Sequence, residues 1–203
     1  AFLHTYARAL RSDAREAKRV AALVEASLAV RPTHPPSLSL EADILWERGE
    51  REQALSLYRF ASTGAEVSEE NAEIYFRAAH RLGLGETGLS YLRARFERLR
   101  GQSSAPFQTL FWQLQELDRG ADAFQELETE LERAREGDFA CWAADIFGRF
   151  GRFDRARALL DAHRSKTRPA YWERVSADLH SYQGHAGEAA AGATTPPPTP
   201  PCR

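Results

Sequence analysis

Apolar residues along this chain recur at spacings of three and four. Phe124, Leu127, Leu131 and Ala134 form one such stripe, Leu38, Ala42 and Leu45 another, and Leu55, Tyr58 and Ala61 a third. That is the period of an α-helix with one buried face. Sustained apolar/polar alternation is absent, Val and Ile are sparse, and Ala and Leu are abundant. Turn-forming residues punctuate the pattern at Pro32, Pro35-Pro36, Gly49, Gly64, Gly83, Gly101, Gly120, Gly137, Gly151, Pro169 and Gly184. The pattern predicts an all-α chain of about a dozen helices, each of about 12–16 residues, joined by short turns.

The turns keep an interval. Gly49 and Gly83 are 34 residues apart; two further steps of 34 reach Leu117 and Gly151, and Gly184 comes 33 later. Each marker is expected where one helix ends and the next begins, a site at which a left-handed backbone favours glycine. Seven residues before the markers stand Ala42, Phe76, Leu110, Ala144 and Ala177, all apolar. Five after them stand Ala54, Gly88, Asp122, Ala156 and Ala189, and nine after them Tyr58, Leu92, Glu126, Leu160 and Ala193. Small residues in facing columns let paired helices approach closely. A fixed period of this kind predicts a stack of helical hairpins, none able to bury its apolar face alone.

On these residues the chain resembles the tetratricopeptide repeat (TPR) family. Residues 38–61 carry the pattern through Ala42, Leu45, Gly49, Ala54, Tyr58 and Ala61, and residues 140–160 through Ala144, Phe147, Gly151, Ala156 and Leu160. Residues 72–92 match through Tyr75, Phe76, Gly83 and Leu92, with Gly88 in place of the usual alanine. Residues 103–136 depart from it, with Leu117 at the turn position and Asp122 in a small-residue column. The resemblance covers about 35–190. It implies a right-handed superhelical solenoid of five to six repeats, at 1–34, 35–68, 69–102, 103–136, 137–169 and 170–193.

The resemblance also implies a function: the first helix of each hairpin lines a groove that holds a partner segment. Carried over position by position, the groove-lining residues are Ser39, Asp43, Trp46 and Glu47, then Glu73, Arg77, His80 and Arg81. Phe107, Phe111 and Leu114 come next, then Cys141, Asp145 and Arg149, and finally Arg174, Asp178 and Tyr182. The Lys, Asn and Arg cluster with which some family members grip a free peptide carboxylate is missing here. Arg77 and Arg81, one helical turn apart, are the best candidates for contact with an anion.

Composition narrows the classes. The 203 residues are 43% hydrophobic and 28% charged, and Lys+Arg of 27 against Asp+Glu of 29 gives a net charge of −2. No basic nucleic-acid footprint emerges, so RNA binding by the repeats is disfavoured. Only Lys18 and Lys166 are lysine, a skew that fits a GC-rich, bacterial coding sequence. No apolar run approaches the roughly 18 residues of a membrane span. The expected compartment is the cytoplasm, with the periplasm as the alternative. The chain has no Met and opens inside a periodic segment (Phe2, Leu3, Tyr6, Ala7, Leu10), as a piece of a longer protein would. Residues 194–203, TTPPPTPPCR, read as a disordered tail; its PxxPxR pattern fits polyproline recognition.

Catalysis finds little support. Cys141 sits among apolar residues and Cys202 in the tail, so no disulfide framework exists. His180 and His185 are five apart, off one helical face, and no metal-ligand spacing completes them. Gly83, Gly85 and Gly88 have the dinucleotide-binding spacing, but they come after a helix rather than a strand and fall on the repeat register. The expectation is a non-catalytic scaffold without cofactor or metal, binding a protein or peptide segment, including one from its own longer chain. The alternative is an accessory repeat region of a larger enzyme or polysaccharide biosynthesis or export protein.

Overall fold

The computed structural model describes residues 2–63, 69–134 and 137–193, and within these all side chains but those of Phe2, Ala14 and 185–193. Gly64 and the Pro-rich segment 194–203, with Cys202, lie outside them. The described residues form eleven α-helices and no strand. These are α1 (Phe2–Leu10), α2 (Ala17–Val30), α3 (Pro35–Glu47), α4 (Arg51–Ser62), α5 (Glu69–Arg81), α6 (Gly85–Leu99), α7 (Ala105–Glu116), α8 (Gly120–Arg133), α9 (Gly137–Arg149), α10 (Phe153–His163) and α11 (Pro169–Ala193). Two compact units divide the chain, Ala1–Ala123 and Phe124–Arg203.

Four turns share one mechanism. Gly49, Gly83 and Gly151 have φ of +86°, +75° and +75°, and Asp118 takes the same left-handed conformation at +57°. At each, the next residue's N–H reaches back to the carbonyl five positions earlier: Glu50 to Leu45, Leu84 to Ala79, Arg119 to Leu114 and Arg152 to Phe147, at 2.8–2.9 Å. The left-handed residue's own N–H closes the inner bond of the motif, on Trp46, His80, Gln115 and Gly148. These are Schellman caps, which satisfy the last carbonyls of the leading helix and turn the chain directly into the next. The interval is therefore physical. In the fourth interval Asp118, one residue beyond Leu117, supplies the turn, because aspartate tolerates the left-handed region better than leucine. Gly83 is accordingly a turn residue rather than part of a nucleotide loop.

Within the first unit, each helix from α1 to α6 packs on the next, and α1 meets α3 as α5 meets α7. One core cluster joins Ala7, Val20, Val24 and Leu40; the next joins Ala42, Ala54, Tyr58, Tyr75 and Ala78, with Trp46 and Ile74 packed at its edge. Ala42, Phe76, Leu110 and Ala144 are all buried. Gly88 departs from alanine for a steric reason: a Cβ there would lie 2.9 Å from the Phe76 ring. The pair Phe76/Gly88 thus does what Ala42/Ala54 does one hairpin earlier, with large and small residues exchanged. Arg95 on α6 is 3% exposed. It pairs with Glu69 at 2.7 Å, and Glu69 also accepts from Thr109 at 2.8 Å, which ties α5, α6 and α7 together.

In the second unit α9 packs on both α10 and α11, and α10 meets α11. Phe124 lies against Phe147 at 5.5 Å, with the Arg152 guanidinium 3.8 Å over its ring. Gly148 lets α11 come close, since a Cβ there would overlap the Leu179 side chain. Residues 170–193 differ from the expected pattern. They belong to one helix that runs through Gly184, and Ala177, placed in an apolar column, is exposed while Val175 and Leu179 are buried. A run rich in alanine carries a helix across an interior glycine at a cost of about 1 kcal/mol.

Each unit is an all-α, TPR-like run of packed helices, with the hairpin as its building block.

Candidate functional site

Two neighbouring cavities open on the first helices of the first unit. One, of about 230 Å³, is lined by Arg11, Asp43, Trp46, Glu47, Tyr58, Ile74, Arg77, Ala78 and Arg81. The other, of about 300 Å³, is lined by His4, Arg8, Arg11, Pro36, Ser39, Leu40, Asp43, Glu70, Asn71 and Ile74. Arg11, Asp43 and Ile74 belong to both, so the Arg11–Asp43 ion pair stands at their shared wall. Five expected groove residues, Asp43, Trp46, Glu47, Arg77 and Arg81, meet in the first cavity, and Ser39 lines the second.

Helical register explains the meeting. Asp43, Trp46 and Glu47 lie three and four apart on α3, and Ile74, Arg77, Ala78 and Arg81 repeat that spacing on α5. Arg11 comes from the end of α1 and bonds both Asp43 and, at 3.0 Å, Glu47. Tyr58, rising from α4, donates its hydroxyl to Asp43. Burial first, and then the Asp43 carboxylate beside it, hold that phenol well above its ordinary range. Trp46 lies 6.4 Å from the Tyr58 ring, and the Arg51 guanidinium stands 5.9 Å from the centre of the indole. Arg77 pairs at 3.2 Å with Glu73, one turn back. Arg81 is exposed and has no ion-pair partner among the described residues.

In the second cavity Ser39 donates to Asn71 at 2.8 Å, linking α3 to α5. His4 stands edge-on to His34 at 5.6 Å. Burial, and then the nearby His34 and Arg8, lower its pKa and favour the neutral ring.

The remaining groove candidates fall elsewhere. Phe107 and Phe111 are 2% and 1% exposed, so both are core residues rather than groove contacts. The reason is the packing of α7, which is buried around most of its circumference, polar Thr109 and Gln113 included, with Phe107 on Phe96 at 5.2 Å. Leu114 and Cys141 are buried too, and burial pushes the Cys141 thiol up, away from thiolate chemistry. His80 is exposed, stacks on Phe76 at 6.2 Å, and is not among the cavity's lining residues. In the second unit Asp145 accepts from Arg149 at 2.9 Å and from Tyr182 at 3.0 Å, and the charge of Asp178 reaches Arg149. Arg174 turns to Tyr171 instead, 4.9 Å from its ring.

Repeat register alone does not point to Arg8, Arg11, Ile74 or Ala78. The first hairpin lacks a marker glycine, so nothing in the sequence places Arg11 opposite Asp43. Ile74 and Ala78 do carry a signal, as the residues three before and one after Arg77 on one helical face. Among the described residues, no group of three His, Cys, Asp or Glu is placed to hold a metal ion, and no helix is long and apolar enough to cross a membrane.

No protein-family model matches the chain, and no curated protein matches it. Among solved structures, a chain of the Naa15/Naa10 complex bound to HypK-THB aligns with 93% of this chain at 17% identity and a TM-score of 0.37. The alignment covers 35% of that chain. A likeness of this depth carries no inference about function.

Proposed function

We propose that this chain is a non-catalytic protein-interaction module, holding a segment of a partner, or of its own longer protein, against the first helices of the first unit. One observation carries the reading. Three successive hairpins contribute Arg11, Asp43/Trp46/Glu47 and Ile74/Arg77/Ala78/Arg81 to one open cavity whose floor is half-buried and apolar and whose rim is charged. That is the anatomy of a recognition surface, an apolar centre inside a polar rim. Packed hairpins on either side fix the lining before a partner arrives, which lowers the ordering cost of binding.

Selection from a peptide library on the intact chain tests it. The expected result is a set of enriched peptides whose binding is lost in Trp46→Ala, with far-ultraviolet circular dichroism confirming that the variant still folds. Enriched peptides that bind Trp46→Ala and Arg77→Glu as well as the parent would overturn it.

A further inference from the structure

The charges around the first cavity are unevenly spent. Arg11 serves both Asp43 and Glu47, and Asp43 also accepts from Tyr58, so the two acids that α3 gives the cavity are already partnered inside the protein. Arg77 has Glu73. Arg81, on the opposite wall, lines the cavity with its guanidinium uncompensated among the described residues. Three arginines stand in the lining against two carboxylates, and Glu73, outside it, offsets Arg77, so the charge left without a counterpart is that of Arg81. A further cation, Arg51, sits over the Trp46 ring without an ion-pair partner among the described residues. Between the arginines lies the apolar floor of Trp46, Ile74 and Ala78.

From this imbalance we infer that the occupant is an acidic partner segment: an apolar side chain seated on Trp46 and Ile74, with Asp or Glu side chains flanking it to meet Arg81 and Arg77. This rests on the groove reading above and adds the chemistry of the partner. A basic segment gains less here, because Asp43 and Glu47 already hold Arg11 and Asp43 also holds Tyr58. A carboxylate meets an unpaired guanidinium without breaking any existing bond, and guanidinium–carboxylate contacts favour bidentate geometry.

Three labelled peptides, amidated at the C-terminus so that only side-chain carboxylates are read, share a central Leu-Phe and differ in flanks of Glu, Ser or Lys. Fluorescence polarisation with the intact chain should rank Glu above Ser above Lys, with about tenfold or more between the extremes. Added salt should weaken the Glu peptide most. Arg81→Glu, an exposed and unpaired position, should cost the Glu peptide about tenfold and leave the Ser peptide little changed. Equal or Lys-favoured binding that still requires Trp46 would overturn the acidic partner and leave the groove standing. Failure of all three peptides to bind overturns the inference, and with a library selection that enriches nothing it removes the groove reading too. A chain that self-associates through this face and excludes the Glu peptide assigns the groove to a second copy, which also overturns it.

Discussion

Two aspartates at the same place in the repeat have different surroundings. Asp43 and Asp145 each stand six residues before a left-handed turn glycine, and each accepts a tyrosine hydroxyl beside an arginine. For Asp43 the arginine is Arg11, from the hairpin before, and the tyrosine is Tyr58, from the hairpin's own second helix. For Asp145 the arginine is Arg149, four residues on along the same helix, and the tyrosine is Tyr182, from α11. A neighbouring position sets the difference between the two faces. On α9, Gly148 admits Leu179 and draws α11 close. The corresponding position on α3 is Trp46, three residues before Gly49 as Gly148 is before Gly151. A bulky indole there cannot take a neighbour in the same way, and a cavity of about 230 Å³ remains beside it. One column, filled by Gly in one unit and by Trp in the other, separates a closed face from an open one.

The largest effects should come from closing the gaps that glycine leaves in the second unit. A Cβ at Gly137 would overlap the Lys166 carbonyl and lie 2.7 Å from the Thr167 hydroxyl. Backbone yields poorly, so Gly137→Ala should destabilise by about 3 kcal/mol, read as a lowered urea midpoint. Gly148→Ala should cost about 2 kcal/mol. Much of that should return in the double variant with Leu179→Ala, measured against Leu179→Ala alone, because the clash is with that side chain. In the first unit, Gly88→Ala should cost about 1–2 kcal/mol and be partly relieved by Phe76→Leu. If Gly88→Ala is neutral in a Phe76 background, the exchange of large and small residues between hairpins is not what the packing requires.

The two tyrosines sharpen the comparison further. Tyr58→Phe should destabilise by about 1–2 kcal/mol at neutral pH, more than Tyr182→Phe, whose site is less shielded. The native phenol of Tyr58 is raised above the unfolded value of 10.0, so the folded state holds its proton more tightly. That contribution is fully present below about pH 10 and is lost as pH rises beyond it. Urea unfolding at successive alkaline pH values should therefore show the parent losing its advantage over Tyr58→Phe. A gap that stays constant through about pH 11 would mean that neither burial nor Asp43 raises the phenol in the folded state.

Much of this architecture is legible in the sequence because the features that set it are local. A left-handed turn favours glycine, and glycine at a fixed interval shows in the sequence; the apolar columns come from helical spacing. The features that stay hidden depend on partners brought from far away. Asp118 replaces glycine because its conformation, not its identity, closes the turn. Phe107 and Phe111 hold register positions that face a groove elsewhere, yet α7 packs on both α5 and α6, which carries them into the core. Arg11 is invisible because the first hairpin has no marker to align it. The buried Arg95–Glu69–Thr109 link spans 26 and 40 residues from Glu69, and no periodicity announces it.

The most direct measurement is two-dimensional NMR of the isotopically labelled chain, titrated with the tightest peptide from the library selection. An occupied groove in the first unit should move the Trp46 indole signal and the amides of α3 and α5 around Asp43, Ile74 and Arg81 together and to saturation, with smaller shifts near Tyr58 on α4, while those of α6 and α10 stay in place. Shifts concentrated on α6 and α10, or on Asp145, Arg149 and Tyr182, would contradict it.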